Sequence, residues 1–237
     1  EAGSYLGVAY ILLDHLVDGQ SAEPVMAAKL SRAFYEQALT LFQGLFDPGT
    51  PFWGQHNRLW AELRQALVDE WQLQRKARHV SQAEFRQWAE IKAAPVIITV
   101  AALAQASSLL DLVPAAEASL REGGAAAQLD HDIGDWSNDI ANQHLTYFLV
   151  EVMSAGQLGP GWPTEVEVAA VIDAGWLDAQ YFKLAQEWFV ESLRLGARLD
   201  CPSWTNFLES CLARVTLNLD RQKLRHILRV SEKAFRS

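Results

Sequence analysis

Apolar residues recur at three- and four-residue spacing along almost all of this 237-residue chain, and no β-branched alternating run interrupts them. That period belongs to α-helices buried on one face, so the chain is constrained to pack helix on helix. Turn signals divide the pattern. The spacing predicts a first helix from Ser4 to Asp18, ended by Gly19-Gln20-Ser21, and a second from Pro24, suited to a first helical turn, to Phe46. Asp47-Pro48-Gly49-Thr50-Pro51 breaks the chain before a third helix, Gly54 to Arg78. Ser81 and Glu84 form a capping box for the next helix, which carries Trp88 and Lys92 and is expected to kink at Pro95. A short helix after Pro114 is expected to stop at Gly123-Gly124. The longest element, Ala125 to Ala155, should follow and be closed by Gly159-Pro160-Gly161. Thr164 and Glu167 make a second capping box, and helices over Leu177–Leu199 and Ser203–Phe235 finish the chain. No repeat, low-complexity tract or linker divides it, so one all-α domain over residues 1–237 is expected.

Charge is the next constraint. The formal net charge of −9 argues against a nucleic-acid partner, which selects for a basic surface. Its distribution says more. From Glu122 to Phe182 there is no Lys or Arg, while ten Asp and Glu fall in that stretch; residues 1–28 also lack Lys and Arg yet carry Asp14 and Asp18. A solvated helix face ordinarily mixes signs, because acid–base pairs at i,i+4 stabilise and like-charge pairs do not. Something other than lysine is therefore expected to compensate these acids. The apolar run Ala93–Leu110 contains Pro95, Gln105 and two serines, which argues against a membrane span, and no segment reads as a signal peptide. Cys201 and Cys211 do not make a disulfide framework, which points to a reducing, cytoplasmic setting.

Two acid pairs repeat one spacing. In Gln128-Leu-Asp-His-Asp-Ile-Gly-Asp-Trp-Ser-Asn-Asp139, a helix puts Gln128, Asp132, Asp135, Asp139 and Gln143 on one stripe, with His131 and Asn142 at its edges and Leu129, Ile133, Trp136 and Ile140 opposite. Asp135 and Asp139 are i and i+4, and Asp14-His-Leu-Val-Asp18 repeats that interval at the end of the first helix. Either pair could be a solvated acidic face. Equally, side-by-side carboxylates suit Mg²⁺, a hard cation that takes one or two carboxylates plus substrate phosphates. If the two helices face each other, the pairs form a two-sided cage.

These residues resemble a family pattern. Asp14-His-Leu-Val-Asp18-Gly19 is similar to the first aspartate motif of squalene and phytoene synthases, and Gln128 to Asp135 resembles the second aspartate-rich motif of trans-prenyl synthases. Asp135 to Asp139 is also similar to the second Asp-x-x-x-Asp motif of the squalene/phytoene group, and the 121 positions from Asp14 to Asp135 match the separation in such synthases. Lys92, in Lys-Ala-Ala before an apolar helix, resembles the lysine that binds pyrophosphate in prenyl synthases. The resemblance covers Tyr5 to Val150 and implies a class I isoprenoid-synthase helical bundle whose central cavity is lined by both aspartate motifs. It further implies Mg²⁺ held by Asp14, Asp18, Asp135, Asp139 and Asp132, with Lys92, Gln128, His131 and Asn142 binding a prenyl pyrophosphate. The departures shape the reading. No Arg-Arg-Gly follows Asp18, the Tyr-rich helix of phytoene synthases is absent, and His15 and His131 stand where acids are usual. A diverged terpene synthase fits better than either relative, with a squalene/phytoene-type prenyltransferase and a non-catalytic prenyl-binding or partner subunit as alternatives. A homodimer and a peripheral membrane contact for a lipid product are compatible with this reading. Since members normally carry two or more helices before the first motif, further N-terminal helices are expected.

Other motifs are less specific. Trp53, Trp60, Phe85 and Trp88 could line a prenyl pocket or be plain core, and Arg221, Lys223, Arg225 and Arg229 could be a lid or an ordinary basic helix. The chain has no Glu-x-x-His, the repeated motif of di-iron carboxylate bundles, and no Gly-rich phosphate loop.

Overall fold

The computed structural model describes the backbone of residues 1–19, 21–76, 80–159 and 161–236, and the side chains of these except 73–76, 229, 230 and 232–236. Among the described residues every regular element is helical, as the periodicity requires, and none is a strand. The elements are α1 (Ala2–Val17), α2 (Pro24–Leu45), α3 (Pro51–Lys76), α4 (Gln82–Ile91), α5 (Ala94–Ala106), a 3-10 turn (Leu110–Leu112), α6 (Val113–Ala141), α7 (Tyr147–Ala155), α8 (Glu165–Gly175), α9 (Leu177–Gly196), a second 3-10 turn (Ala197–Leu199) and α10 (Pro202–Arg236). They group into two compact units, Glu1–Gly124 and Ala125–Ser237. Of the expected turns and ends, Gln20, Arg78 and Pro160 lie outside the described residues.

In the first unit α1 packs along α2 and against α3 and α5. Leu6 and Ala9 of α1, Ala38 and Phe42 of α2, Phe52, Leu59 and Leu63 of α3, and Ile97, Ile98 and Ala101 of α5 are buried in its core. Two close approaches fix α1. Ser31 donates to the Ala9 carbonyl at 2.8 Å, and Gly3 sits where a Cβ would come within 2.5 Å of the Thr99 side chain. The expected kink at Pro95 is instead a full break, with α4 and α5 meeting at 45°. Proline lacks the N–H for the helical ladder and its ring collides with the carbonyl four residues back. Breaking at Lys92-Ala93 moves Pro95 into the first turn of α5, where neither penalty applies. Both capping boxes form: Ser81 Oγ accepts from the Glu84 N–H at 3.2 Å, and Thr164 Oγ1 accepts from the Glu167 N–H at 3.3 Å.

The expected stop at Gly123-Gly124 and the expected Ala125–Ala155 helix are both corrected. α6 runs unbroken through the glycine pair and ends at Ala141, α7 is separate, and the longest element is α10. A helical glycine costs only about 1 kcal/mol relative to alanine. At Gly124 a Cβ would lie 3.2 Å from that of Ala93, so the small residue serves helix approach rather than termination. α6 ends because Gln143 turns left-handed, with φ 54°, and the His144 N–H folds back to the Asp139 carbonyl at 2.8 Å.

In the second unit α8 packs on α7 and α9, and α10 pairs with α9. Phe148 and Leu149 of α7, Val168 of α8, Phe189 of α9, and Leu208 and Val215 of α10 are buried there. Gln186 donates to Thr216 at 2.8 Å across the α9–α10 pair. Among the described residues no single helix is long and apolar enough to cross a membrane.

Candidate functional site

The first acid motif closes α1. Asp14 lies in its last turn, and Asp18 caps it with an N–H that donates to the Asp14 carbonyl at 2.9 Å. Gly19 then takes φ 68°, a left-handed conformation that releases the chain from the helix. Tyr10, one turn before Asp14 on the same face, donates its hydroxyl to Asp14 Oδ1 at 3.2 Å.

Lys92 joins this motif from 78 positions away. It caps the C-terminus of α4, and its Nζ lies 3.3 Å from Asp14 Oδ1 and 2.9 Å from Glu70 Oε1 on α3. One ammonium thus ties α1, α3 and α4 together. Burial opposes the charge on Lys92, yet the Glu70 and Asp14 carboxylates beside it hold its pKa well above the ordinary lysine value. Burial pushes the Glu70 carboxyl upward; Lys92 pulls it back, and Asp18 and Asp14 push it further up. Tyr10 is raised by burial, with Lys92 opposing and Asp14 and Glu70 reinforcing. Glu70 Oε2 is buried and has no hydrogen-bond partner. Beside this cluster, Leu13, Leu16 and Val17 of α1 and Arg64, Leu67, Val68 and Trp71 of α3 line an open, largely apolar trough of about 460 Å³.

Sequence reasoning missed Glu70, since nothing in Val68-Asp69-Glu70-Trp71 distinguishes it from any acid on an amphipathic helix. Tyr10 could have been found, because it stands four residues before Asp14.

The second motif belongs to the second unit, on and just after α6. Gln128 donates to Asp132 Oδ1 at 2.8 Å, Asn138 donates to Asp135 Oδ1, and His144 Nδ1 lies 3.2 Å from Asp139 Oδ1. Asp132 and Asp139 are buried, and Asp139 Oδ2 has no partner. His131 and Asn142 are exposed, and Asn142 lies one residue beyond the helix. Asp130, which the motif reading passed over, is buried and accepts from Arg214 Nε and Nη2 at 3.0 and 2.6 Å. The expectation that something other than lysine compensates the acids therefore fails at Asp14, which Lys92 meets. At Asp130 the compensating base is an arginine 84 positions away.

Of the aromatic candidates, Trp60, Phe85 and Trp88 are buried core, and Trp60 stacks on Tyr35 at 4.3 Å. Arg221, Lys223 and Arg225 are exposed on α10; the Arg229 side chain lies outside the described residues.

The donors suit a hard cation, since both motifs offer carboxylate oxygens and one of those oxygens, Asp139 Oδ2, is buried without a hydrogen-bond partner. Among the described residues, no group of three or more His, Cys, Asp and Glu side chains is disposed to hold a metal. Mg²⁺ does not require one, because it binds through one or two carboxylates and completes its shell with water and phosphate. The chain matches no family model, no curated protein and no solved structure.

Proposed function

We propose that this chain is a Mg²⁺-dependent enzyme of the class I terpene-synthase type, which ionises a prenyl pyrophosphate and directs the cation to cyclisation or coupling. The observation that carries this reading is the meeting of Asp14 with Lys92, the acid of the first motif with the lysine singled out for pyrophosphate. Residues so far apart in the chain have no local reason to converge.

On this reading Asp14 and Asp18 would hold metal in the first unit, and Asp132, Asp135 and Asp139 are the carboxylates proposed for that role in the second. Mg²⁺, when bound, supplies positive charge to the pyrophosphate oxygens. Lys92 of the first unit would contribute an ammonium to the leaving group; Gln128, His131 and Asn142 are the donors proposed beside the second motif. Preorganised donors of this kind act where charge develops, as the bond from carbon to the pyrophosphate oxygen breaks. Leu13, Leu16, Val17, Leu67, Val68 and Trp71 offer apolar surface for a prenyl chain, and such surface keeps water from an allylic cation.

A second reading is a non-catalytic homologue that binds prenyl ligands. The engagement of Lys92 by two carboxylates favours it. The deciding assay is Mg²⁺-dependent pyrophosphate release from C10, C15 and C20 prenyl pyrophosphates, with Asp14→Asn as the control. Release that is lost in the variant supports the enzyme. Binding without release supports the second reading, and neither binding nor release would overturn both.

A further inference from the structure

Lys92 is tied down by the chain's own acids. Its ammonium donates to Glu70 Oε1 at 2.9 Å and is ion-paired with Asp14 Oδ1 at 3.3 Å. A pyrophosphate approaching this lysine meets two carboxylates already in place. The pair is also incompletely satisfied. Glu70 Oε2 is buried with no hydrogen bond, whereas an ion pair kept only for stability normally has its remaining lone pairs occupied. Glu70 is thus held through one oxygen alone.

We propose that Glu70 is the resting partner of Lys92, which the pyrophosphate displaces, so that Glu70 sets the barrier to anion binding when no metal is present. The inference rests on the reading of Lys92 as a pyrophosphate contact and adds to it a residue outside both aspartate motifs. Asp14 is the metal-side partner. Were its carboxylate to turn to a cation, Lys92 would be left with Glu70 alone, and phosphate oxygens would compete for one contact instead of two. Glu70 thereby makes anion binding depend on prior metal binding. It is a positioning residue, since it acts through Lys92.

The test uses the full chain and inorganic pyrophosphate, titrated calorimetrically with and without Mg²⁺. Wild type is expected to bind measurably only with Mg²⁺. Glu70→Gln keeps the side-chain shape and an acceptor for Lys92 but removes the competing charge. It is expected to bind metal-free pyrophosphate about tenfold or more tightly than wild type, the scale of one unpaired charge. The gain should vanish in Glu70→Gln/Lys92→Met and be absent in Glu70→Asp. If the amide variant does not fold, Glu70→Leu removes the same charge with an apolar side chain. A Glu70→Gln variant that binds metal-free pyrophosphate no better than wild type overturns the inference, as does a gain that survives loss of Lys92. The two readings separate cleanly. Turnover of a prenyl pyrophosphate with no gain in Glu70→Gln sinks the inference and spares the enzyme. A gain without turnover does the reverse.

Discussion

Replacing Lys92 with methionine tests whether the first unit is built around its ammonium. Lys92 is 10% exposed, and Asp14 and Glu70 are 23% and 19% exposed, so solvent screens the three charges only in part. At about 3 Å and an effective dielectric near 20, each contact carries about 5 kcal/mol of Coulomb attraction, which desolvation of the ions largely offsets. Methionine removes the attraction and leaves the desolvation of the two carboxylates in place. Breaking a buried pair in this way typically costs about 3–5 kcal/mol, a large share of the roughly 5–15 kcal/mol that holds a domain together. Lys92→Met is therefore expected to lower stability by about 3–5 kcal/mol at pH 7.5 in urea unfolding. Adding Glu70→Gln should restore part of the loss, with a coupling of about 1–3 kcal/mol in the double-mutant cycle. The pH dependence has a definite sign. The folded pKa of Lys92 is raised, so its contribution is fully present below the unfolded lysine value, about 10.4, and is lost only as pH rises through the higher folded value. On the acid side, the gap between wild type and variant should close as Glu70, whose pKa burial raises, becomes protonated. A loss below about 1 kcal/mol at pH 7.5 would mean the lysine behaves as a screened surface cation, and the exchange mechanism would lose its basis.

Four further outcomes are expected. His56 is buried among Tyr35, Phe42, Phe52 and Trp53, and burial lowers its pKa, with the Asn57 hydrogen bond opposing. Its contribution is therefore present above the unfolded value, about 6.5, and is lost as pH falls through the folded one, so wild type should lose more melting temperature than His56→Gln between pH 7 and pH 5. Gly134→Ala, where a Cβ meets nothing within 4 Å, should stabilise by about 0.5–1 kcal/mol in thermal unfolding. Gly3→Ala, driven into Thr99, should destabilise by about 1–3 kcal/mol, and equal effects at the two glycines would discredit the α1–α5 packing. Asp135→Asn removes a charge from between Asp132 and Asp139; it should leave apo stability unchanged or raised by a few tenths of a kcal/mol while abolishing the Mg²⁺-dependent thermal shift with a prenyl pyrophosphate. A retained shift would remove Asp135 from the ligand set.

Where a feature depended on neighbours in the chain, the sequence was legible. The Ser81/Glu84 and Thr164/Glu167 boxes are four-residue patterns, and both form as written. Pro24 opens α2 for the reason any first-turn proline does. The misreadings share a different cause. Gly123-Gly124 carries the local mark of a helix end, but Gly124 is small because Ala93 packs against it, and only the tertiary structure supplies that neighbour. The true end of α6 lies at Asn142-Gln143-His144, where no glycine or proline announces it. The cost of a left-handed glutamine there is offset by folding His144 back onto Asp139. At Pro95 the local rule was right about the disturbance and wrong about its size, because a kink would still leave the ring against the carbonyl of Ile91.

Charge compensation divides in the same way between local and tertiary neighbours. Stretches without Lys or Arg suggest acids awaiting a metal only on the premise that compensation comes from nearby in sequence. Asp14 and Asp130 show the premise to be too narrow, since each finds a base about eighty positions away. A run of acids is thus weaker evidence for a cation than it looks, and an acid pair deserves weight only for the part of its charge that the fold leaves uncovered. By that measure the case does not disappear but moves. Two carboxylates divide one ammonium at Lys92, Glu70 keeps a buried oxygen without a donor, and Asp139 keeps another. Glu70 lay outside every motif, yet it now bears most directly on whether Lys92 is a structural tie or a pyrophosphate contact held in reserve. Its substitution therefore separates the two accounts more sharply than loss of any motif aspartate, which would damage binding under either.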